Sequence, residues 1–383
     1  MKKFEENPIL YQNNTGKGIY YLFYDNSKLG LKNEENKVIW EKTFEEKLVK
    51  VSLILGNFSN IAPTLKVELE SGSLVYTTEG SLLSVDNKSK TEFPHYREQI
   101  KADLIYSEDL KVGYFQVDLN IDHQGKIYEL FDSRGLCVYR GLENQISFKT
   151  IVYKEEIFQI KTRDDISIMN IQIKEIKAEA ISYIIGDSTV ANHSLPYWGW
   201  GQLLQTKSQE IVINEAVCGR SIKSFKLEDR LESVFLRLKD KDKLILAFAH
   251  NDQKRNFFGL SIEEFIGEVR EIVEKAEKKK VKLYICTPLA RRQFENDQLL
   301  ESHGEYLTEL KKEFSDKIID TNAYSQKMIL EVTEEESKKY FVHSDLLKIY
   351  DNTHSSILGA DLLATYVAKE IKRRENENWN SST

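Results

Sequence analysis

The sequence predicts an α/β fold, a doubly wound parallel sheet, in the C-terminal half of the chain, with a β-rich segment before it. Three observations predict it. The pattern changes near residue 175, from short runs of alternating apolar and polar residues to apolar runs separated by helical segments. Five of those apolar runs have the length and composition of buried parallel strands. Four short polar segments carry most of the reactive side chains: three directly follow such a run, and the fourth precedes the last helix. In an open α/β sheet that is where a site forms, beyond the C-terminal ends of the strands.

The elements follow in order. Residues 18–24 are a dense aromatic and apolar run. Residues 49–53, 65–69 and 115–119 alternate, and 166–168 continues the alternation into 171–173. Period two marks a strand with one buried face. Many such strands with no helical pattern between them predict a sandwich or a barrel. Whether residues 1–177 make one β module or two is open at this stage, and the polar stretch 87–99 is a natural divide. The predicted parallel strands are 181–185, 211–213, 244–249, 281–286 and Ile318–Ile319. Ser261 with Glu264 three residues on is a capping box. It opens a helix whose apolar face is Phe265, Ile266, Val269, Ile272, Val273 and Ala276. A last helix over 359–374 places Leu362, Leu363, Tyr366, Val367 and Ile371 on one side.

A chain of 383 residues is long for one compact domain. The reading is a β-rich module over 1–177, carbohydrate-binding-like or accessory, an α/β domain over 178–375 and a frayed polar tail over 376–383. Charged residues are 30 % and hydrophobic ones 41 %, with a net charge of −7. That composition is ordinary for a globular protein and argues against a nucleic-acid partner. No run approaches the roughly 20 apolar residues of a membrane span. The N-terminus shows no apolar leader core, and Cys137, Cys218 and Cys286 are few and widely spaced. Both features lead us to expect a reduced, cytoplasmic setting. No Walker A or G-x-G-x-x-G sequence, no paired ligand spacing and no EF-hand loop occurs, so no nucleotide cofactor and no metal is expected.

The chemistry lies in the four segments. Ser188 follows the first predicted strand in Ile185-Gly186-Asp187-Ser188-Thr189, with Gly186 allowing a sharp turn and Asp187 as support. A serine there is equally suited to cap a helix. Gly219, in Asn214-Glu215-Ala216-Val217-Cys218-Gly219-Arg220-Ser221, is a turn glycine or a backbone N–H donor to an oxyanion. In Phe248-Ala249-His250-Asn251-Asp252, Asn251 offers an amide donor and His250 a supporting or simply packed ring. In Asp351-Asn352-Thr353-His354, a spacing of three lets the carboxylate reach the imidazole. Each segment alone has an ordinary structural explanation. Together they supply a nucleophile, a base, a carboxylate to orient the base, and oxyanion donors, the parts of acyl transfer through a serine ester. The G-x-S-x-G elbow of α/β-hydrolases is absent.

In this combination the segments resemble the four blocks of the SGNH (GDSL-type) hydrolases, and in detail the rhamnogalacturonan acetylesterase-like branch. Gly186-Asp187-Ser188-Thr189, Asn214-x-Ala216-x-x-Gly219-Arg220-Ser221-x-x-Ser224-Phe225, His250-Asn251-Asp252, Asp351-Asn352-Thr353-His354 and Thr287-Pro288-Leu289-Ala290-Arg291-Arg292 carry the likeness, which covers about half the chain. The resemblance implies a flavodoxin-like sheet. It implies Ser188 as nucleophile, His354 as base and Asp351 as its partner, with Ser188 N–H, Gly219 N–H and the Asn251 side chain as oxyanion donors. Ala249 stands where the branch has glycine. The implied activity is removal of O-acetyl groups from pectic, rhamnogalacturonan-type oligosaccharides through an acetyl-enzyme. An SGNH hydrolase acting on another ester or thioester is the first alternative. A carbohydrate-binding protein with an inactive esterase half is the second. Trp198, beside Tyr197 and Trp200, and Arg291 and His343 are candidates for substrate contact, each with a plain structural alternative. The expected partner is an acetylated oligosaccharide, and homo-oligomer formation is left open.

Overall fold

A computed structural model describes the backbone of residues 5–13, 16–24, 28–32, 38–43, 48–54, 64–69, 72–77 and 82–87, and of 102–381 apart from 153–156, 194 and 256–257; side chains are described mainly from 102 to 376. The polar stretch 87–99 lies outside the described residues beyond Asn87. The chain forms two compact units, Met1–Tyr96 with Gly219–Arg237 and Lys254–Gly259, and Arg97–Cys218 with Leu238–Gln253 and Leu260–Thr383.

In the first unit β1 (Glu5–Asn13), β2 (Gly16–Tyr24), β3 (Lys28–Lys32) and β4 (Val38–Thr43) pair antiparallel in chain order. So do β5 (Leu48–Ile54), β6 (Thr64–Leu69), β7 (Gly72–Thr77) and β8 (Leu82–Asn87).

The second unit begins with seven strands: β9 (Asp103–Glu108), β10 (Gly113–Asp122), β11 (Tyr128–Asp132), β12 (Cys137–Gly141), β13 (Gln145–Val152), β14 (Phe158–Thr162) and β15 (Ser167–Ile176). They form two antiparallel sheets, ordered β13-β10-β15 and β12-β11-β14-β9. Alternation along each strand sends Val117, Leu119, Ile121, Leu130, Ile146, Phe148, Phe158 and Ile160 into one shared core. On the opposite side of β10, β13 and β15, Asp118, Asn120, Gln145, Ser147, Asn170 and Gln172 are polar and at least partly exposed.

Next come β16 (Ile181–Gly186), a short helix α1 (Trp200–Leu203) and β17 (Ile211–Asn214). The helices α2 (Ile222–Leu227) and α3 (Arg230–Arg237) belong to the first unit. The chain continues through β18 (Lys243–Ala247), α4 (Ile262–Lys278), β19 (Lys282–Cys286), a two-residue hairpin β20 (Phe294–Glu295) and β21 (Gln298–Leu299), α5 (Gly304–Glu313), β22 (Ile318–Ile319) and α6 (Thr321–Leu330). It ends with α7 (Glu334–Ser337), a hairpin β23 (Phe341–Ser344) and β24 (Ile349–Ser355), and α8 (Ile357–Ser381).

The five strands between 181 and 319 are parallel, in the order β17-β16-β18-β19-β22. Each matches a predicted apolar run to within two residues at either end. The order is that of the flavodoxin-like sheet, whose crevice opens at the switch point beside the first strand. That point lies between β16 and β18. One face of the sheet packs Ile184, Val212, Ile245 and Tyr284 against Trp200 and Leu203 of α1 and Ala360, Leu363, Ala364 and Val367 of α8. The capping box of α4 is present: Glu264 N–H donates to Ser261 Oγ at 3.3 Å, and Ser261 N–H donates to Glu264 Oε2 at 2.7 Å. The six apolar residues predicted for the inner face of α4 are all buried. Each large aliphatic or aromatic one contributes roughly 1.5–3 kcal/mol relative to exposure. The polar tail expected beyond residue 375 is helical instead, because α8 runs on to Ser381. A run such as Arg373-Arg374-Glu375-Asn376-Glu377 holds good helix formers and no breaker.

Candidate active site

The site is assembled on the loops beyond β16 and on β24. Gly186 was expected to serve a turn. Its role is close approach: a Cβ there would stand 2.5 Å from the Ala247 carbonyl oxygen of the neighbouring β18. The loop then tightens around Asp187, whose Oδ1 accepts from Thr189 N–H and Thr189 Oγ1, both at 2.8 Å. Asp187 is fully buried, and Ser188 beside it is partly exposed. A second strut comes from β17, where Asn214 Nδ2 donates to Val190 O at 2.8 Å and to Asn192 Oδ1 at 2.9 Å. The next residues stay on the sheet edge: Val217 N–H donates to Gly186 O at 3.0 Å.

The tertiary fold brings Ser188, His354 and Asp351 into one chain of hydrogen bonds. Ser188 Oγ lies 2.8 Å from His354 Nε2, and His354 Nδ1 lies 2.7 Å from Asp351 Oδ2. Asp351 Oδ1 accepts from Thr353 N–H at 2.7 Å and from His354 N–H at 2.9 Å. Burial alone would raise the Asp351 carboxyl pKa. The bond and charge of His354 and the two N–H donors outweigh it and hold the group at about 2. An ionised carboxylate only accepts, so His354 Nδ1 carries the hydrogen and Nε2 is free to accept from the serine hydroxyl. Trp198 N–H donates to Ser355 O at 3.1 Å, which ties the Ser188 loop to the strand that carries His354.

Asn251 is buried just past β18, the strand next to β16. Asp252 Oδ2 accepts from Ala249 N–H at 3.0 Å in that turn. Ala249 adopts φ 121°, on the side of backbone space that glycine occupies freely. Its departure from the family pattern is therefore a matter of backbone conformation. His250 is buried with its ring edge-on to His303 at 4.7 Å. Gly219 has φ +73° and opens the segment that belongs to the first unit. Ser221 there caps α2. Glu228 is held between Arg220 and Arg230, with Arg220 Nη2 at 2.8 Å.

The three substrate candidates fall in different places. Trp198 is 2 % exposed, its ring packed near Phe131 with the Arg163 guanidinium over it, so neither face is open to a sugar. His343 Nε2 lies 2.9 Å from Asn352 Oδ1, which places it as a brace of the Asp351–His354 loop. Arg291 is half-buried on the loop after β19, and its Nε has no hydrogen-bond partner among the described residues.

Other residues support the site, and His193 among them carried no sequence signal. His193 is buried, and its Nε2 donates to Ser188 O at 2.5 Å. Burial pushes its pKa down to about 4, helped by the charge of His354, so it is a neutral donor at neutral pH. Tyr197 stands edge-on to the His354 ring at 5.7 Å. Arg292, read from the sequence only as one of two loop arginines, is buried. Its N–H donates to Asn352 O at 2.8 Å, Nε to Ser337 Oγ at 2.8 Å, Nη1 to Asn352 Oδ1 at 3.3 Å and Nη2 to Glu334 O at 2.6 Å. The antiparallel sheets of 103–176 also reach the site. Arg134 Nη1 donates to Val212 O at 2.8 Å, Asn192 Nδ2 donates to Arg134 O at 3.4 Å, and Arg163 stacks 4.6 Å from the Phe131 ring. The contacts of Arg134 with Val212 and Asn192 join residues 78 and 58 positions apart in sequence, which no local pattern reveals. Among the described residues no group of three or more His, Cys, Asp and Glu side chains is placed to hold a metal ion, and all three cysteines are free thiols.

No protein-family model matches the chain. A probable rhamnogalacturonan acetylesterase of Bacillus subtilis, YesY, is 32 % identical over 200 residues, 50 % of this chain and 91 % of the relative. The chain belongs to the rhamnogalacturonan acetylesterase branch of the SGNH hydrolases. It is a carboxylic ester hydrolase. Another relative in this family, the rhamnogalacturonan acetylesterase RhgT of Bacillus subtilis, is 33 % identical over 208 residues, 50 % of this chain and 88 % of the relative. Among solved structures, a Bacillus subtilis protein is 20 % identical over 79 % of this chain and 84 % of its own, with a TM-score of 0.48. The acetylxylan esterase Axe2 of Geobacillus stearothermophilus is 17 % identical over 51 % and 95 %, with a TM-score of 0.39. No helix among the described residues is long and apolar enough to cross a membrane.

Proposed function

We propose that this esterase removes O-acetyl groups from rhamnogalacturonan-type oligosaccharides by way of an acetyl-enzyme on Ser188. The observation that carries the reading is the run from Ser188 Oγ to His354 Nε2 at 2.8 Å and from His354 Nδ1 to Asp351 Oδ2 at 2.7 Å. His354 takes the hydroxyl proton as Ser188 Oγ forms a bond to the acetyl carbonyl carbon, and Asp351 stabilises the imidazolium. The developing oxyanion is met by the N–H of Ser188 and the amide of Asn251, and the family resemblance adds the N–H of Gly219 as a further donor. The tetrahedral species then expels the sugar oxygen, which leaves with the proton from His354. Water, deprotonated by His354, attacks the acetyl carbon and returns Ser188 and acetate. The pectic substrate class is supported by the names of the two relatives that the chain aligns with over nine-tenths of their length, to within a few per cent. Residues 1–177 we read as β-rich and accessory to the α/β domain of 178–375.

The test compares the protein with Ser188→Ala on 4-nitrophenyl acetate and on acetylated rhamnogalacturonan oligosaccharides. The expected result is acetate release that falls at least about 10³-fold in the variant. A rate that survives the substitution assigns the wrong nucleophile. Hydrolysis of the simple ester with no release from the oligosaccharide overturns the substrate and keeps the chemistry.

A further inference from the structure

The outward face of the sheet β13-β10-β15 carries an arrangement of side chains that the ester chemistry does not use. Register places Ser147, Asp118 and Gln172 side by side in one row across the three strands, and Gln145, Asn120 and Asn170 in the next. Rows two residues apart lie about 6.8 Å from one another, and neighbours within a row about 4.8 Å. These six side chains line a depression of about 360 Å³, with Leu119 and Ile146 also in its lining. That volume falls in the range of small-ligand sites. Four of the six are carboxamides, each offering both donors and an acceptor. Asp118 accepts from Gln116 Nε2 at 3.1 Å. The side chains of Asn120, Gln145, Ser147, Asn170 and Gln172 form no hydrogen bond among the described residues, so their polar atoms are uncommitted. Ordinary solvated surface in this chain looks different: 30 % of its residues are charged, and its other exposed positions are rich in lysine and glutamate. Here one carboxylate is the only charge in the lining.

The lining chemistry selects the occupant. A nucleic acid needs cations, and the depression has none. A protein partner needs a protruding apolar anchor, and Leu119 and Ile146 are 4 % and 8 % exposed. A polyol needs paired donors and acceptors at close spacing, which the four carboxamides, the Ser147 hydroxyl and the Asp118 carboxylate provide. We propose that this face binds an oligosaccharide through its hydroxyl groups, as a site separate from Ser188 that holds the polymer substrate. The choice of an oligosaccharide among polyols rests on the carbohydrate-esterase reading above. Lys149 and Lys174 flank Gln116 in the adjoining row, where they would meet the carboxylates of an acidic sugar chain.

The experiment uses the full chain. Ser188→Ala protein is titrated calorimetrically with deacetylated rhamnogalacturonan oligosaccharide and, separately, with a neutral xylo-oligosaccharide. The same titrations are made with Asn120→Ala/Asn170→Ala/Gln172→Ala added; these exposed positions tolerate truncation, and circular dichroism checks the fold. Saturable binding with a Kd on the order of 1 mM or tighter, weakened at least about tenfold by the triple substitution, is the expected result. In the Ser188-containing protein the same triple substitution leaves 4-nitrophenyl acetate hydrolysis unchanged while raising KM on the acetylated polymer. Stronger binding of the acidic chain assigns a uronate polymer, and equal binding assigns hydroxyl recognition alone. Affinity unaltered by the triple substitution, or no saturation by either sugar, overturns the proposal. Either outcome alongside Ser188-dependent ester hydrolysis leaves the esterase reading standing, and loss of that hydrolysis is the separate failure of the esterase reading.

Discussion

Replacing Asp351 by asparagine removes a charge, preserves the shape and tests the geometry of the site. Thr353 N–H at 2.7 Å and His354 N–H at 2.9 Å both donate to Oδ1. In the variant those two donors require an acceptor at the same place, so the amide oxygen stays there. The amide NH₂ is then turned toward His354 Nδ1, where Oδ2 now sits at 2.7 Å. A donor facing Nδ1 forces the hydrogen onto Nε2, which points at Ser188 Oγ 2.8 Å away. The histidine can no longer accept the serine proton, and the imidazolium loses its counter-charge. We expect kcat on 4-nitrophenyl acetate to fall about 10³- to 10⁴-fold at neutral pH. The carboxylate also contributes stability. Its pKa is about 2 in the fold against 3.8 ordinarily, a difference worth about 2 kcal/mol. Because the folded value is the lower one, this stabilisation is fully present above the ordinary aspartate range and is lost as pH falls through about 2. Urea denaturation should therefore separate the two proteins by about 2 kcal/mol at neutral pH and less at about pH 3. A kcat within about tenfold of the parent, with unchanged stability, would refute both the tautomer argument and the assignment of His354 as base.

Three further outcomes follow from neighbouring contacts. Arg134→Ala leaves the fully buried Asp132 carboxylate without its counter-charge and cuts the bond to Val212 O; it should cost about 3–5 kcal/mol in denaturant unfolding, and a loss under about 1 kcal/mol would show that the strut is dispensable. Arg292→Ala should lower kcat roughly 10- to 100-fold with little change in KM, since it releases Asn352 without touching substrate, and Arg292→Lys should rescue poorly because lysine lacks the planar fork. Ala249→Gly should raise stability by about 1 kcal/mol, the relief of a φ of 121° less the greater chain entropy of glycine; a lower unfolding midpoint with intact activity would mean that the backbone there is unstrained.

How much of this was legible in the sequence differs from residue to residue. The parallel strands were readable because buried strands are continuous apolar runs, and α4 because its capping box and 3.6-residue period are local. Ser188, Asp351 and His354 were readable as candidates because each sits in a short motif on a loop whose place in the fold the strand pattern already implied. Trp198 was not: a tryptophan near a serine reads equally well as a platform or as core, and only the packing of Phe131 and Arg163 against it decides. His343 looked like a residue free to meet a ligand, and instead it converges with Arg292 on Asn352.

By itself the sequence determined the order of the elements, the α/β class of the C-terminal half and the loops that carry the candidate site residues, because periodicity, caps and loop motifs are encoded within a few neighbouring positions. The tertiary structure decided the distances. It brought Ser188 and His354, 166 positions apart, to 2.8 Å, gave the Ser188 loop its struts in Asn214 and His193, and laid the antiparallel strands of 103–176 against it through Arg134 and Arg163. Contacts of that kind depend on how whole elements pack, and packing is a property of the assembled chain that no single stretch of it contains.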